Sequence, residues 1–507
     1  MFGILQEGSL CLDLEEDRLC AGLMSFLEDE KAVKIARGFL SGLAKDKYGR
    51  LITRDGDEYL PLILSETEGR KLLYFQKFHM HENLLRFRMK SLLRAETSLK
   101  ISERAIEAFI DEIYSPQLSI RVSKDGTPIE RDKHQVDAIR LSLGSQFSII
   151  SGGPGTGKTS LMVRAEEIFL GAPTGRAAQR MTEAVQYNIK TIMEPSGSDE
   201  ELLKLKAGTL HKILRYRRYN HDFYYRDTNP LPASVIILDE VSMVDFVMME
   251  RFLRAVDPSR TRLIFLGDKD QLPSVEAGAV FAEMIPDGNR AKTFKDRLML
   301  LKKVYRTGTN LLELAKQINE GKSPEYSPVL FNSALQLKPD KWAFVRNEGM
   351  KAWQEHIRLW VEHHYQKPTH DDNRSFRDLI SEAGNMDPGE LLNSDSGQEI
   401  LQQIFNRVEM ARILSLVRNG IYGCTGINEQ IAHSLGFGFE RSAWTEKGYF
   451  TGAVIMITRN DYSKELFNGE VGVVISMQSI FPTLWILHQF FYGLIAPLGT
   501  CVFNDCS

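Results

Sequence analysis

The sequence has few cysteines and no strong excess of charge of either sign. Its five cysteines, Cys11, Cys20, Cys424, Cys501 and Cys506, lack the paired spacing and the neighbouring histidine of a zinc site. We therefore expect no structural metal, and unpaired cysteines without an N-terminal signal pattern favour the reducing cytoplasm. The formal net charge of -4 gives no overall sign of nucleic-acid binding, although a basic groove is compatible with an acidic molecule.

Charged side chains are missing from the end of the chain. The stretch from Val471 to Asn504 contains no Asp, Glu, Lys or Arg, whereas 26% of the whole sequence is charged. Its apolar part has the length of a membrane segment, but His488 and Gln489 interrupt it and no basic flank orients it. We expect a truncation or frameshift tail rather than a membrane anchor or a buried hairpin. Because Pro482 and Pro497 interrupt strand pairing, the tail is expected to leave a sheet edge open.

The length and the composition are those of a soluble globular protein with several domains. A chain of 507 residues is too long for one core and predicts three or four domains, or two with insertions. The first informative motif begins after Phe147 to Ser151, which predicts a short buried strand. The next residues match G-x-x-x-x-G-K-[ST], a loop whose backbone N–H groups surround a phosphate chain.

Each fixed position of this loop has a role in binding a nucleotide. Lys158 supplies the countercharge, and the Thr159 hydroxyl is expected to bind Mg²⁺. The sequence therefore predicts binding of ATP or GTP. The residues expected to contact the nucleotide are Gly152, Gly153, Pro154, Gly155, Thr156, Gly157, Lys158 and Thr159.

Two later strands are expected to bring polar side chains to the same place. Val235 to Leu238 is a buried apolar run that ends in Asp239 and Glu240, and parallel sheets bind ligands at the carboxyl ends of their strands. Asp239 would hold magnesium through water and Glu240 would polarise the attacking water, although an isolated pair is more often a helix cap. Arg262 to Gly267 predicts another buried strand before Gln271, whose amide suits a γ-phosphate sensor.

A basic and aromatic segment between residues 204 and 225 points to nucleic acid. Basic groups that track phosphates, interleaved with aromatic rings that stack on bases, are typical of single-strand binding. The alternative is a solvated helix with a partly buried aromatic stripe, and the segment alone does not decide between the two. The candidate DNA contacts are Arg215, Arg217 and Arg218.

Taken in order, these motifs resemble those of the RecD family of superfamily 1 helicases. The matching segments are SGGPGTGKT, APTGRAA at 172–178, TLHKIL at 209–214, LDEVSMVD at 238–245, GDKDQLPSVEAGAVF at 267–281 and VYRTG at 304–308. Residues 414–431 and 467–472 are similar to segments of the family's second motor domain. Residues 61–85 resemble the end of its N-terminal domain, which docks onto RecC.

The resemblance implies an α/β fold of the P-loop NTPase class, with RecA-like parallel-sheet motor domains and a small, mainly helical N-terminal domain. We expect a partner-docking domain at 1–125, motor domain 1 at 126–300 and motor domain 2 at 301–475, with an insertion at about 322–400. Residues 476–507 would be the aberrant apolar tail. The family's pattern implies that Gln135 contacts adenine and that Arg306 reaches the γ-phosphate. It also implies a DNA track formed by Pro173, Thr174, Thr209 and His211.

The implied function is that of an ATP-dependent helicase subunit that moves 5′ to 3′ on single-stranded DNA. Its partners would be the 5′-ended DNA strand and RecB-like and RecC-like subunits, in a cytoplasmic heterotrimer for double-strand break repair and homologous recombination. We expect no exonuclease activity in this chain and no membrane among its partners. The family's T-x-H-K-S-Q-G-S and T-R-A motifs are missing, so the second motor domain is expected to be incomplete. The alternatives are an ATP-binding, motor-dead subunit that only docks, and a stand-alone RecD-like helicase.

Overall fold

The chain forms two compact units, Met1–Arg306 and Thr307–Ser507. The computed structural model describes residues 9–24, 27–54, 58–67, 69–96, 101–114, 131–152, 168–190, 202–217, 219, 221–271, 274, 278, 280–285, 292–301, 309–325, 327–337, 341–368, 373–435, 451–457, 471–477, 483–488 and 493–497.

The first unit begins with a small sheet and four helices. The strands are β1 Cys11–Asp13, β2 Ile52–Thr53, β3 Leu62–Thr67 and β4 Arg70–Phe75, in the order β1-β4-β3-β2. The helices are α1 Glu16–Met24, α2 Asp29–Ala44, α3 Gln76–Arg94 and α4 Glu103–Ile113. The sequence predicts a mainly helical region and misses this sheet, because strands of two to six residues show too little alternation to be recognised.

A six-stranded parallel sheet forms the centre of the first unit. Its strands are β5 Phe147–Gly152, β6 Ile168–Ala172, β7 Gly208–Thr209, β10 Val235–Leu238, β11 Arg262–Gly267 and β12 Leu298–Leu301, in the order β12-β5-β11-β10-β6-β7. A parallel sheet is covered on both faces, and β5, β10 and β11 are accordingly buried at every residue. The strands expected before the phosphate loop, before Asp239 and before Asp268 are therefore confirmed.

Helices and a short hairpin surround the parallel sheet. The helices are α5 Lys133–Gly144, α6 Gly175–Lys190, α7 Leu210–Ile213, α8 Phe246–Arg254 and α9 Val280–Met284, and the hairpin pairs β8 Tyr216–Arg217 with β9 Asp222–Phe223. Helix α3 supplies Leu85, Met89 and Leu92 to one of the apolar clusters beside the sheet, and α4 supplies Ile106 and Ile110 to another. The N-terminal helices α3 and α4 thus share the core of the parallel sheet.

The second unit is helical before it becomes a sheet. Its helices are α10 Thr309–Asn319, α11 Phe331–Leu335, α12 Met350–Val361, α13 Phe376–Asn385, α14 Pro388–Asn393, α15 Asp395–Met410 and α16 Cys424–Ser434, and a π-helical turn, Glu362–Gln366, continues α12. The strands are β13 Val454–Met456, β14 Val471–Met477, β15 Thr483–His488 and β16 Gly493–Pro497. Val471, Val473 and Ile475 of β14 are buried in the apolar cluster of the helices. No helix among the described residues is long and apolar enough to cross a membrane.

The sheet of the second unit corrects two expectations. A second RecA-like domain predicts parallel strands, but each described strand pair of this unit is antiparallel. The charge-free tail was expected to leave the edge beside β14 open, whereas β15 pairs with β14 from Gly472 to Met477. Pro497 does not interrupt the pairing, because it lies on β16, the edge strand, where sheets tolerate proline. Pro482 lies outside the described residues.

Candidate nucleotide and nucleic-acid site

The carboxyl ends of the parallel strands bring the predicted motifs of the first unit to one edge of the sheet. Gly152 at the end of β5 is aligned with Leu301 of β12, and the residue before it is aligned with Gly267 of β11. Leu238 of β10 is aligned with Gly171 of β6. The predicted nucleotide contacts that follow Gly152, at 153–159 and including Lys158 and Thr159, lie outside the described residues, and so do Arg218 and Arg306.

Asp239 is held at this edge by the backbone around it. Its N–H donates to the Gly171 carbonyl oxygen at 2.9 Å, and its Oδ1 accepts the Glu240 N–H at 2.8 Å. The side chain is half-buried. A carboxylate oriented in this way at the end of a buried strand is the kind of hard oxygen donor that Mg²⁺ prefers. The described part of the site therefore fits the expected metal.

Glu240 has an unusual backbone conformation. Its φ is 52° and its ψ is 38°, in the left-handed region that non-glycine residues seldom enter. A short 3₁₀ turn, Val241–Met243, follows directly, and Asp245 then caps α8 by accepting the Met248 N–H at 2.9 Å. Residues other than glycine that adopt the left-handed conformation cluster at functional sites. The conformation costs free energy and persists only where many contacts of the surrounding structure maintain it. The chain thus turns sharply at the residue that was predicted to activate water.

The loop after β11 contributes a carboxylate that the motif analysis did not single out. Asp268 is only 5% exposed, and its Oδ1 accepts the Asp270 N–H at 3.1 Å. The Gln271 N–H donates to the Asp268 carbonyl oxygen at 3.3 Å, and the predicted sensor side chain is exposed. Its position directly after a buried strand is the signal that could have identified Asp268, as it identified Asp239.

Gln135 lies in the first turn of α5. Its N–H donates to Oδ1 of Asp132, the N-cap residue, at 3.0 Å, and the residue is 3% exposed. Helix α5 leads into β5 through two residues and contacts both β5 and β12. The structure therefore fixes the residue that was predicted to contact adenine against the sheet that carries the phosphate loop.

The predicted DNA track follows the two neighbouring strands β6 and β7. Thr209 of β7 pairs with Ala172 of β6, and Pro173 and Thr174 follow Ala172 in the chain. Both threonine hydroxyls cap the N-termini of helices. Thr174 Oγ1 accepts the Ala177 N–H at 3.2 Å, and Thr209 Oγ1 accepts the Lys212 N–H at 3.3 Å. The two threonines therefore have a capping role that DNA binding does not require.

Close packing joins this track to the Asp239 strand. A Cβ added at Gly171 would lie 2.5 Å from Cδ2 of Leu238 and 2.8 Å from Cδ1 of Ile213 in α7. A larger residue at Gly171 would therefore require the Leu238 and Ile213 side chains to move.

His211 lies in an aromatic group at the start of the hairpin. Its ring centroid is 5.6 Å from that of Tyr216 and 5.7 Å from that of Phe223. Partial burial lowers the pKa of His211 below its usual value, and Arg251 lowers it further, while Asp245 acts in the opposite direction. The imidazole is therefore neutral at neutral pH.

The basic and aromatic segment is a short helix followed by a hairpin. Of the two interpretations of this segment, the helix with an aromatic stripe is wrong for residues 216–217 and 222–223, which form the paired strands β8 and β9. Arg215 is left-handed, with a φ of 52°, and its guanidinium carbon lies 5.3 Å from the ring centroid of Tyr225. The corresponding distance from Arg217 to Tyr224 is 4.7 Å. Two of the three arginines that were predicted to contact DNA, Arg215 and Arg217, therefore stack on tyrosines.

Comparison with known proteins shows which families this chain resembles. Residues 135–277 match the family model of the AAA domain, a range that contains Gln135, Gly152 and Asp239. The RecBCD enzyme subunit RecD of Haemophilus influenzae is 27% identical over 80% of this chain, and that of Mycolicibacterium smegmatis is 32% identical over 68% of it. The chain is thus similar to RecD subunits over most of its length. The expected α/β fold of the P-loop class is thereby confirmed together with the parallel sheet.

The RecD-like chain covers only part of these relatives. It spans 65% of the length of the Haemophilus protein and 57% of that of the Mycolicibacterium protein. The ATP-dependent RecD2 DNA helicase of Deinococcus radiodurans is 26% identical over 68% of this chain, which spans 38% of its length. Each of the three matches covers most of this chain, whereas a large part of each relative lies outside the match.

Proposed function

We propose that this chain is an ATP-driven motor subunit that moves 5′ to 3′ on single-stranded DNA within a RecBCD-type complex. The observation that carries the proposal is the arrangement of Asp239 and Glu240 at the carboxyl edge of a parallel sheet, where only β11 separates their strand from the phosphate-loop strand β5. The predicted DNA track starts from the two strands β6 and β7 at the same edge. A nucleotide and a DNA strand would thus contact adjacent segments of one rigid sheet.

The proposed nucleotide chemistry divides among a few residues. Gly152 to Thr159 would surround the phosphates, with Lys158 as the countercharge and Thr159 and Asp239 as the residues that hold Mg²⁺. The metal, when bound, would neutralise the charge that develops on the phosphates. Glu240 would orient the attacking water and accept its proton, while Gln271 and Arg306 would respond to the γ-phosphate.

Single-stranded DNA would bind along the β6 and β7 side of the site. Pro173, Thr174 and Thr209 would contact its backbone where helix N-termini present N–H groups. His211 and the arginines of the hairpin would continue the track, with Arg218 beside Arg215 and Arg217. Cation-rich surfaces of this kind bind phosphates without sequence preference.

The similarity to proteins named as RecBCD subunits supports a multisubunit partnership in the cytoplasm, with RecB-like and RecC-like chains. Two alternatives remain as outcomes of the test. The chain could bind ATP and dock without moving, as the missing motifs suggest, or it could work alone, as the likeness to the Deinococcus RecD2 helicase suggests.

Strand displacement separates these functions. We expect the chain, with RecB-like and RecC-like subunits, to unwind a 5′-tailed duplex in an ATP-dependent way and to leave a 3′-tailed duplex intact. Glu240→Gln should bind ATP without hydrolysing it, whereas Lys158→Ala should abolish ATP hydrolysis and weaken the binding of the magnesium nucleotide. Nucleotide binding without displacement in any assembly would establish the motor-dead alternative, and unwinding by the isolated chain would establish the stand-alone one. Wild-type ATP hydrolysis by Glu240→Gln would refute the assigned base.

A further inference from the structure

The hairpin after α7 holds two arginines over one aromatic ring. The guanidinium carbon of Arg217 is 4.7 Å from the ring centroid of Tyr224, and that of Arg215 is 5.6 Å from it. The two charges therefore lie within about one Debye length of each other and repel. The nearby carboxylate of Asp222 is bound to Arg226 at 2.9 Å instead. Within the described part of the chain, neither arginine has an ion-pair partner, so this pair of charges favours a bound anion.

The ring of Tyr224 is carried by a fixed backbone. The Tyr224 N–H is shared between the carbonyl oxygens of Leu214 and Arg215, at 3.2 and 3.1 Å, and the Tyr224 carbonyl oxygen accepts from Nδ2 of Asn229 at 3.2 Å. The neighbouring Phe223 is 4% exposed and Leu214 is fully buried, so both anchor the hairpin in the core. A platform that is ordered before binding loses little conformational entropy when a ligand stacks on it.

Tyr224 nevertheless remains accessible. It is 38% exposed, and its ring lies at an angle of 75° to that of Tyr225, with 5.0 Å between the centroids. An exposed aromatic surface next to two cations matches one repeating unit of a nucleic-acid strand, which presents a flat base and a charged phosphate. Stacking accepts every base, because each base has a π face.

We propose that Tyr224 is a stacking platform for one base of single-stranded DNA and that Arg215 and Arg217 bind the phosphates on either side of it. The choice of DNA as the nucleic acid rests on the proposed function, whereas the platform itself rests on the hairpin geometry. The strand would pass from Thr209 and His211 onto the hairpin, since α7 connects the two directly. The competing interpretation is a solvent-exposed arginine–tyrosine stack that only stabilises the hairpin.

Binding of matched oligonucleotides tests the proposal without ATP hydrolysis. The probes are fluorescent dT20 and an oligonucleotide of the same length and charge in which the bases are replaced by abasic sites. We expect Tyr224→Ala to weaken dT20 binding by about 5- to 30-fold, the loss of roughly one stacked base, and to leave abasic binding unchanged. Tyr224→Phe should bind both probes as the wild type does. Tyr59→Ala, which removes a tyrosine that is 94% exposed, is the matched control and should change neither affinity.

The salt dependence tests the arginines separately. Arg217→Gln should weaken the binding of both probes and flatten the slope of log affinity against log salt by about 0.7, the value for one phosphate contact to a single strand. Equal loss of both probes in Tyr224→Ala, or no loss, would overturn the platform. A wild type that discriminates dT20 from the abasic probe but does not unwind DNA would refute the proposed motor function and leave the platform standing.

Photo-crosslinking keeps the proposal testable even if Tyr224→Ala does not fold. The wild-type chain is irradiated with dT20 that contains 5-iododeoxyuridine, and the crosslinked peptide is identified by mass spectrometry. We expect a crosslink at Tyr224. Crosslinks confined to other peptides would overturn the proposal.

Discussion

Glu240 combines two requirements that conflict at the scale of a single residue. The left-handed conformation, with a φ of 52°, costs an L-residue on the order of 1–2 kcal/mol, and glycine would avoid that cost. The proposed chemistry, however, requires a carboxylate at this position. Stability is thus given up where the chain turns from β10 toward α8, as is common at active sites.

This conflict predicts that glycine at position 240 favours stability and abolishes ATP hydrolysis. Glu240→Gly should raise the free energy of unfolding by about 1 kcal/mol relative to Glu240→Ala, because both lack the carboxylate and only glycine relieves the backbone. Both variants should lose ATP hydrolysis. Urea unfolding followed by circular dichroism measures the difference. Equal stabilities of the two variants would show that the left-handed turn is not strained.

The sequence predicts the residue types of this site better than their geometry. Apolar runs that end in acids located Asp239 and Glu240 at strand ends, because burial on both faces of a parallel sheet leaves a plain pattern. The hydrogen bond from the Glu240 N–H to Asp239, and the left-handed turn, depend on neighbouring strands that no local pattern records. The position of Asp268 after an apolar run could have identified it in the same way, whereas its burial is a tertiary effect that the sequence does not show.

At the scale of elements, a hydrogen bond to a buried carboxylate links α3 to α8. His81 Nδ1 lies 2.9 Å from Oε2 of Glu250, whose side chain is fully buried. Arg88 of α3 and Arg254 of α8 both approach Asp227, at 3.6 and 3.2 Å. Basic side chains of α3 thus contact α8 and the segment before β10, and the helix is part of the fold of the first unit.

We expect His81→Ala to destabilise the first unit by about 3 kcal/mol, because Oε2 of a carboxylate without access to water loses its hydrogen bond and Arg254 Nε, 3.7 Å from Oε1, does not replace it. Arg86→Ala is the matched control on the same helix. It breaks an exposed pair with Glu82, at 2.8 Å, and should cost less than about 0.5 kcal/mol. Hydrogen exchange of α3 and α8 amides measures both. Similar effects of the two variants would contradict the structural role of the buried pair.

The π-helical turn after α12 predicts a dependence of stability on pH. Burial, and then the neighbouring His363, lower the pKa of His364 to about 4. As the pH falls below about 6.5, His364 becomes protonated in the unfolded chain but stays neutral in the folded chain. The free energy of unfolding therefore decreases until about pH 4. If the His364 ring were fully buried, the free energy of unfolding would decrease by about 3 kcal/mol. Because the ring is only half-buried, we expect a decrease of about 1 kcal/mol.

Tryptophan fluorescence can follow this effect selectively. The second unit contains all five tryptophans, Trp342, Trp353, Trp360, Trp444 and Trp485. Urea unfolding at pH 7.5 and pH 5 should show a smaller loss of stability in His364→Gln than in the wild type. The same loss in both proteins would show that another group titrates.

Over the whole molecule, the motifs predict the first unit well and the second poorly. In the first unit, continuous apolar runs predict buried strands and the motifs that follow them predict a ligand site at the strand ends. Both signals indicate a parallel sheet. In the second unit the antiparallel strands β15 and β16 come from the charge-free tail, whose pattern does not alternate. Composition alone therefore gave the wrong prediction of an open edge, since Trp485 and Leu487 pair with β14 on one side and with β16 on the other.

Removing the last two strands tests what the tail contributes. A chain that ends after Met477 keeps β14 but exposes the backbone N–H and C=O groups along the edge that β15 covers, and such edges promote aggregation. The control ends after Pro497 and retains all four strands of this sheet. We expect the shorter chain to form aggregates on size exclusion and to lose the tryptophan-monitored transition. Its ATP binding should persist, because the phosphate loop, Asp239 and Glu240 all belong to the first unit. If the shorter chain remains monodisperse with an unchanged transition, β15 and β16 contribute nothing to the second unit and the tail is dispensable.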